Sequence, residues 1–386
     1  MKFIIVCMPG IHHVGGVESY INTMNKYLKK IDIKATLISI GSDFILDSAR
    51  NSDPREIIDR FILASYKSIK KELSKTSEQF IVNTHWFPEA IPAIKLKKEG
   101  FTFSHFLTVH DQLNNLSIKY FEYVIRNIKY VDKFIVLNEF MNDYLVSRGI
   151  PSEKIEIIKG GVDLELFNIY NLNKDTLLNL KNRLSVCESD KIILLPVRMD
   201  PIKNIHVAVE MLSYVIKEFS NVKLLLTANG SFKESWIEPD VRRYREYIIQ
   251  LIDKFKLRNN IVSYKWLKEK PNKPIFSFQE MPYVYSLSHL TLLPSKIEPF
   301  GFVILESMAM GKPVIASKSG GPEKVIINKH NGILCNPNDP HKIYESVCEL
   351  LENEKLYRKI VKNGFKTVKN YGMDNVIKKI IKLAYT

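Results

Sequence analysis

Short β-branched segments alternate with longer amphipathic segments along almost the whole of this 386-residue chain. This alternation is the pattern of consecutive strand and helix units that build a parallel sheet. Six strands are predicted in the first half, at residues 3–7, 35–40, 80–83, 103–109, 133–137 and 155–158. Six more are predicted in the second half, at residues 192–197, 222–227, 261–264, 290–293, 313–316 and 333–335. The sequence therefore predicts an α/β protein with two doubly wound, Rossmann-like domains.

Chain length and local composition place the domain boundary. A chain of 386 residues is long enough for two domains of ordinary size. A glycine-containing segment at 160–163 precedes a polar, asparagine-rich stretch, after which a new helical run begins. We therefore predict a first domain over residues 1–170, a second over 171–370, and a Lys/Ile-rich helix over 371–386. Because ligands of such folds bind at the carboxyl ends of the strands, the site is expected in a cleft between the two sheets.

The cysteines and the first residues bear on location. The cysteines show no Cys-x-x-Cys spacing and are scattered as Cys7, Cys187, Cys335 and Cys348. This argues against a disulfide framework or a zinc site and favours a reducing compartment. The apolar run at the start ends at Pro9-Gly10, which is typical of a buried strand rather than a signal peptide or a membrane span. We expect a cytoplasmic protein.

The basic charge limits the range of partners. A net charge of +14 and a pI near 9.3 would attract polyanions or an anionic membrane. Many of the lysines, such as Lys67 and Lys71, lie on a predicted helix whose other face is apolar. The ordinary interpretation is a core-facing helix with a solvated basic side, and peripheral contact with an anionic membrane on the cytoplasmic face is the alternative. Nucleic acid is not expected as a partner, because no nucleic-acid recognition signature is present.

The run from residue 294 to 316 holds two carboxylates, Glu298 and Glu306, eight positions apart. Glu298 lies in a Pro/Gly loop after a predicted strand, and Glu306 lies about one turn into an apolar helix that begins after Gly301. The first N–H groups of a helix attract anions, and ionised carboxylates accept hydrogen bonds from sugar hydroxyls. These residues predict a ligand that has a phosphate flanked by sugars. The alternative is a solvated loop residue followed by a carboxylate that the helix dipole favours.

Two cations follow the predicted strand at 192–197. At the carboxyl end of a strand, Arg198 and Lys203 could bind a diphosphate and stabilise the charge that develops on it as a leaving group. The alternative is a surface salt bridge to Asp200 or Glu210. The sequence contains no Asp-x-Asp, no HExxH and no clustered His/Cys set, so neither a divalent metal nor a cofactor is predicted.

Two further positions follow predicted strands of the first domain. Gly15 and Gly16 at a helix start permit close approach of the backbone to a phosphate or sugar, or else they form a tight turn. His110 ends a strand beside Asp111 and could donate a hydrogen bond to a substrate hydroxyl. A structural histidine is the alternative interpretation. His85 occupies the corresponding place on the preceding strand.

These motifs resemble those of the retaining glycosyltransferases of family four, which have the two-domain GT-B fold. The resemblance spans nearly the whole chain and is most specific in the Glu-x7-Glu element of Glu298 and Glu306, which contains Pro-Phe-Gly. The other matching motifs are Gly15-Gly16-Val17-Glu18, Thr108-Val109-His110-Asp111, Gly161-Val162-Asp163, residues 198–204, Gly320-Gly321-Pro322-Glu323 and Asn331-Gly332-Ile333-Leu334.

The resemblance implies roles for residues of the second domain. Glu298 would hold the donor sugar together with the backbone amides of Phe300, Gly301 and Phe302. Glu306 would bind the ribose of the nucleotide.

It also implies roles for the cations and for the first domain. Arg198 and Lys203 would bind the diphosphate, and Gly15 and Gly16 would line the phosphate side of the cleft. His110 would contact the transferred sugar near the reacting centre.

For the remaining parts, the resemblance implies that the nucleobase lies near Trp266 and Leu267. It also implies that the C-terminal helix packs back on the first domain.

The implied activity is transfer of a hexosyl group, with retention and without a metal, from a nucleotide diphospho-sugar to a hydroxyl group. The acceptor would be a glycan, a lipid-linked molecule or a small molecule. A UDP-sugar is the first donor expected, and GDP-mannose is the second. A GT-B phosphorylase or a nucleotide-sugar epimerase is the alternative among enzymes. A non-catalytic protein that binds nucleotide sugars or a membrane surface is the alternative from another class.

Overall fold

The computed structural model describes residues 1–8, 16–39, 54–114, 117–227, 239–262, 267 and 276–385. The chain forms two compact units: unit 1 comprises Met1–Gly161 with Met373–Thr386, and unit 2 comprises Val162–Gly372. The predicted boundary at residue 170 therefore lies inside unit 2. The physical reason is that Val162 already pairs with the end of that unit, because its N–H donates to the Tyr371 carbonyl at 3.2 Å.

Unit 1 is built around a six-stranded parallel sheet. Its strands are β1 (Lys2–Val6), β2 (Ala35–Ile38), β3 (Phe80–Thr84), β4 (Ser104–Val109), β5 (Lys133–Val136) and β6 (Ile155–Ile157), in the order β2-β1-β3-β4-β5-β6. Its helices within the first segment are α1 (Gly16–Lys30), α2 (Pro54–Leu73), α3 (Phe87–Lys98), α4 (Ile118–Arg126) and α5 (Glu139–Ser147). The central strands β3 and β4 are almost completely buried, as expected of parallel strands covered on both faces.

The last helix of the chain, Met373–Leu383, also belongs to unit 1, where it packs on α1. Its apolar residues recur at helical spacing, and Val376, Ile377 and Ile380 are buried. Beyond the helix, the Gln79 side-chain amide donates to the Ala384 carbonyl at 3.2 Å. Unit 1 is therefore assembled from both ends of the chain.

Unit 2 has a second parallel sheet. Its strands are β7 (Lys191–Leu195), β8 (Val222–Leu226), β9 (Leu290–Leu293), β10 (Val314–Ser317) and β11 (Ile333–Cys335), in the order β11-β10-β9-β7-β8. Its helices are α6 (Lys174–Leu184), α7 (Ile205–Val215), α8 (Pro239–Lys254), α9 (Met281–Leu287), α10 (Phe302–Ala309), α11 (Pro322–Val325), α12 (Pro340–Glu352) and α13 (Glu354–Val368). The predicted strand at 261–264 falls partly outside the described residues, and Ile261 forms a single parallel bridge with Leu224.

Each sheet has one point at which the strand order reverses. In unit 1 the reversal lies between β1 and β3, and in unit 2 it lies between β7 and β9. Open parallel sheets bind ligands beside the carboxyl ends of the strands at such reversals. The segments that follow these four strands carry Gly16, His85, Lys203 and Glu298. The topology alone therefore brings several predicted site residues to the favoured edge of each sheet.

The apolar face of the basic helix predicted in the first half is buried in α2, where Ile58, Phe61 and Ile69 have no exposed surface. None of the helices in the described ranges is long and apolar enough to cross a membrane.

Replacing Ile380 by alanine should lower the free energy of unfolding of unit 1 by about 2–4 kcal/mol, because a fully buried side chain leaves a cavity against α1. Lys379→Ala is the matched control on the exposed face of the same helix and should change stability by less than about 0.5 kcal/mol. Urea unfolding measures both variants. Equal stabilities would contradict the packing of the C-terminal helix on unit 1.

Candidate active site

The loop between β9 and α10 is shaped by one glycine. Gly301 precedes the first residue of α10 and has a φ of +84°, in the left-handed region that glycine tolerates best. A Cβ at this position would also lie 2.9 Å from Cδ1 of Ile304. The Pro-Phe-Gly sequence thus turns the chain abruptly from the loop into the helix. The first turn of α10 begins at Phe302, and the Ile304 N–H donates to the Gly301 carbonyl at 2.9 Å.

A second loop braces this one. The Glu298 N–H donates to the Ser319 carbonyl at 3.1 Å, and the Gly321 N–H donates to the Glu298 carbonyl at 2.8 Å. At the crossing, a Cβ on Gly321 would lie 2.4 Å from the carbonyl oxygen of Pro299. Only glycine allows the two backbones to approach this closely, so the Gly320-Gly321 motif fixes the position of the loop that carries Glu298.

The structure brings the first carboxylate and one predicted cation into contact. Nζ of Lys203 lies 2.9 Å from Oε2 of Glu298, and their side chains are 14% and 13% exposed. Lys203 ends a short turn after β7 in which the Asp200 carboxylate accepts from the Ile202 N–H at 3.0 Å. The Lys296 N–H donates to the Ile202 carbonyl at 2.8 Å, which joins the β7 and β9 loops. The ion pair is therefore held on two connected loops.

Arg198 is placed differently from Lys203. Its Nη2 lies 3.8 Å from Oδ2 of Asp200, and both side chains are about a third exposed, at 38% and 33%. This is the surface pair that the sequence left open as an alternative. Such exposed pairs contribute about 0–1 kcal/mol, so the guanidinium can leave Asp200 at little cost.

The second carboxylate has a partner that sequence reasoning missed. Glu306 lies on α10 and is buried, and the Tyr285 hydroxyl of α9 donates to its Oε2 at 2.7 Å. Burial raises the pKa of Glu306 to about 7, and the Tyr285 hydrogen bond acts in the opposite direction. The only sequence signal for this contact is a tyrosine on a short apolar helix, which is ordinary core composition. Glu306 therefore titrates near neutral pH.

The remaining predicted donor residues of unit 2 are partly described. Phe300 is buried and packs edge-to-face on Phe302, with ring centroids 4.8 Å apart. Leu267 is buried, whereas Trp266 lies outside the described residues.

In unit 1 the two predicted histidines lie together. Nδ1 of His85 is 2.9 Å from Nε2 of His110, and both side chains are buried. The Tyr20 ring packs edge-on against them, with centroids 5.9 Å from His85 and 5.0 Å from His110. One imidazole must donate to the other, so His85 constrains which nitrogen of His110 carries hydrogen. The neighbouring Asp111 accepts from the Gln112 N–H through Oδ1 at 2.9 Å.

A buried acid that the sequence analysis did not single out lies beside this pair. The carboxylate of Glu89, on α3, accepts backbone N–H bonds from Met8 and His85 at 2.8 Å each, and also from Trp86. It thereby ties the segment after β1 to the segment after β3. Burial raises the pKa of Glu89 to about 8, although these hydrogen bonds lower it. Gly16 opens α1, and Gly15 lies outside the described residues.

Within the ranges that the structure describes, no group of three or more His, Cys, Asp and Glu side chains is arranged to hold a metal ion. The charged side chains at the carboxyl ends of β7 and β9 include those of Arg198, Asp200, Lys203, Lys296 and Glu298.

The chain is similar to known glycosyltransferases. The family model "Glycosyl transferases group 1" matches residues 179–367, and the model "Glycosyltransferase Family 4" matches residues 14–166. An uncharacterised glycosyltransferase of Methanocaldococcus jannaschii is 25% identical over 395 residues, which cover 96% of this chain and 95% of the relative. These matches support a glycosyltransferase of family four.

Two solved structures resemble the fold. Sucrose-phosphate synthase from Thermosynechococcus elongatus has a TM-score of 0.77 at 19% identity, covering 99% of this chain and 98% of the other. Anabaena Alr3699/HepE in complex with UDP and glucose has a TM-score of 0.75 at 16% identity, with the same coverage. With its two parallel-sheet α/β units, the chain has the GT-B fold predicted from the sequence.

Gly321→Ala should lower the free energy of unfolding of unit 2 by about 1–3 kcal/mol, because the added methyl group meets backbone atoms that cannot rotate away. Gly364→Ala is the matched control, because its added Cβ would meet the adaptable Met308 side chain at 3.2 Å. Chemical denaturation compares the two. A Gly321 variant as stable as the control would show that the loop crossing is not tight in solution.

Glu89→Gln should destabilise unit 1 by about 1–3 kcal/mol at pH 5, because an amide has one acceptor oxygen for the N–H groups that a carboxyl serves with two. The pKa of Glu89 is raised from 4.5 to about 8, so between these two pH values the folded protein binds more protons than the unfolded chain. Wild-type stability contributed by this group therefore falls as pH rises from 4.5 to 8. The difference between wild type and variant should shrink over the same range in unfolding experiments, and a constant difference would contradict the assignment.

Proposed function

We propose that this protein transfers a hexosyl group from a nucleotide diphospho-sugar to a hydroxyl acceptor, with retention of anomeric configuration and without a metal. The observation that carries the proposal is the Lys203–Glu298 pair at the strand-order reversal of unit 2, 2.9 Å apart and largely shielded from water. A cation suited to phosphate and a carboxylate suited to sugar hydroxyls stand side by side there. A nucleotide diphospho-sugar contains a phosphate and a sugar as neighbouring groups.

The chemistry of the pair supports its use with a donor bound. An ammonium group has three donors, so Lys203 can keep its bond to Glu298 and still donate to phosphate oxygens. The second carboxylate oxygen of Glu298 can then accept from a sugar hydroxyl. In this proposal the pair sets the distance between the leaving group and the sugar, and the amides of Phe300, Gly301 and Phe302 complete the sugar site.

The proposed mechanism is attack by the acceptor on the face that the leaving group vacates. The bond from the anomeric carbon to the diphosphate oxygen breaks, the acceptor oxygen bonds to the same carbon, and the departing phosphate takes the acceptor proton. Lys203 and Arg198 stabilise the charge that develops on the diphosphate. His110 of unit 1 is assigned to the transferred sugar, and Glu306 to the ribose. No side chain of the protein acts as a nucleophile in this scheme.

A UDP-sugar is our first choice of donor, and GDP-mannose is the second. The choice of UDP is supported by the structural neighbour Alr3699/HepE, described as a complex with UDP-glucose.

Lys203→Ala and Glu298→Gln should each reduce transfer by about 100-fold or more, because each removes a charge placed against the reacting diphospho-sugar. The assay is nucleotide release from a panel of UDP-sugars and GDP-mannose, with candidate acceptors and a chelator, and thermal melting confirms folding. Near-normal turnover in either variant would reject the assignment.

The matched control is Lys223→Ala. Lys223 forms a partly buried pair with Asp190 at 2.7 Å, at the amino ends of β7 and β8. The Lys223→Ala variant should lose a similar ion pair yet keep transfer activity. The same assay tests the alternative enzymes, since phosphate-dependent cleavage would indicate a phosphorylase and a changed sugar without acceptor would indicate an epimerase. Binding without turnover of any donor would indicate a non-catalytic protein.

A further inference from the structure

The buried tyrosine that contacts Glu306 is held in place from several sides. Tyr285 has no exposed surface, and its ring packs edge-on against Phe167 with centroids 5.9 Å apart. The Ser288 hydroxyl donates to the Tyr285 carbonyl at 2.8 Å at the end of α9. The phenol oxygen lies 2.7 Å from Oε2 of Glu306 and 3.5 Å from the Val303 carbonyl. A phenol has one hydrogen, and the shorter distance assigns it to the carboxylate.

This contact acts on a residue whose charge state matters for binding. A ribose diol offers two hydroxyl donors, and an ionised carboxylate offers acceptors only. A protonated carboxyl loses part of that capacity and adds a donor of its own. Burial favours the protonated form, whereas a hydrogen bond from a neighbouring hydroxyl favours the ionised form. The Tyr285 hydroxyl therefore opposes the effect of burial on Glu306.

We propose that Tyr285 is a positioning residue of the nucleotide site, whose hydroxyl fixes one oxygen of Glu306 so that the other oxygen accepts from the ribose. This inference rests on the proposed function, because it takes the ribose as the ligand of Glu306. It adds to that proposal a residue that does not touch the nucleotide and a dependence of nucleotide affinity on pH.

Among the described elements that pack on α10, Tyr285 is the titratable residue that contacts Glu306. The elements that pack on α10 are α9, α13, β9 and β10. Neither β9 nor β10 carries a titratable side chain. Helix α13 presents Gly364 to Met308, and its charged side chains are exposed. On α9, the Tyr283 hydroxyl accepts from the Asn173 N–H, away from Glu306. Burial lowers the pKa of His289, and the charge of Lys312, which follows α10, lowers it further.

The direction of the pH effect follows from these neighbours. The pKa of Glu306 is about 7, so the carboxylate becomes protonated as pH falls below neutral. Nucleotide affinity should therefore be high above pH 7 and decline below it. Removing the Tyr285 hydroxyl removes a hydrogen bond that lowers this pKa, so the decline should move to higher pH.

The test compares Tyr285→Phe with the control Tyr283→Phe, which removes a hydroxyl from the same helix. Carbon-13 NMR of labelled glutamate carboxyl groups measures the pKa of Glu306 in the free full-length protein, with Glu306→Gln identifying the signal. Calorimetry then measures binding of UDP or GDP, whichever binds wild type more tightly, and of its 2′-deoxy analogue, from pH 6 to 9. Thermal melting checks that each variant is folded.

Tyr285→Phe should raise the pKa of Glu306 and weaken nucleotide binding roughly tenfold at pH 7, with most of the affinity restored at pH 9. It should also reduce the preference for ribose over deoxyribose, and Tyr283→Phe should change neither property. Glu306→Gln should bind weakly at every pH.

An unchanged pKa of Glu306 in Tyr285→Phe would overturn the inference while leaving the glycosyltransferase proposal intact. A raised pKa with unchanged affinity and unchanged ribose preference would overturn both the inference and the assignment of Glu306 to the ribose. Failure of the Lys203 and Glu298 variants to lose transfer is a separate outcome, and it would reject the proposed function itself.

Discussion

The Lys203–Glu298 ion pair is the interaction on which the carboxyl edge of unit 2 depends. Two charges taken out of water are tolerated only when they neutralise each other, and removal of one leaves the other uncompensated. The pair also joins the β7 loop to the β9 loop, and the crossing at Gly321 joins the β9 loop to the segment after β10. Because α10 begins only a few residues after Glu298, the same constraints determine where Glu306 is presented. One electrostatic contact and one close backbone approach therefore position most of the predicted donor site.

Much of the fold could be predicted because parallel strands can be recognised from their local sequence. The strands β3, β4 and β9 can be predicted without knowing which strands they pair with, because strands buried on both faces have continuous apolar, β-branched sequences. The domain boundary was less accessible to sequence reasoning, because the pairing of Val162 with the segment at Tyr371 joins residues far apart in the chain. Local composition changes near residue 170, but the contacts that define the unit begin earlier.

The candidate site could likewise be predicted only in part. Glu298, Lys203 and His110 were predicted from residue type and from their places at strand ends. The contacts of Glu306 and Glu89 were not predicted, because a hydrogen bond between α9 and α10 or between α3 and the segment after β1 leaves no spacing pattern in the sequence. Tyr285 and Glu89 are common residue types in apolar helices, and only the tertiary structure shows what they contact. The buried acids Glu89 and Glu306 also show how burial alone moves a carboxyl pKa toward neutral pH, while the hydrogen-bond donors around each acid limit that shift.

Unit 1 contains both termini of the chain, and unit 2 is an insertion within it. During synthesis, the strands β1–β6 emerge before unit 2, yet the helix Met373–Leu383 that packs on α1 emerges only after it. Unit 2 is continuous and can fold as soon as its own residues are available. Unit 1 must hold part of its apolar surface uncovered while all of unit 2 is translated. The core of unit 1 is therefore completed only after unit 2 has been translated, and a chain that stops before Met373 lacks part of the core that its first residues began.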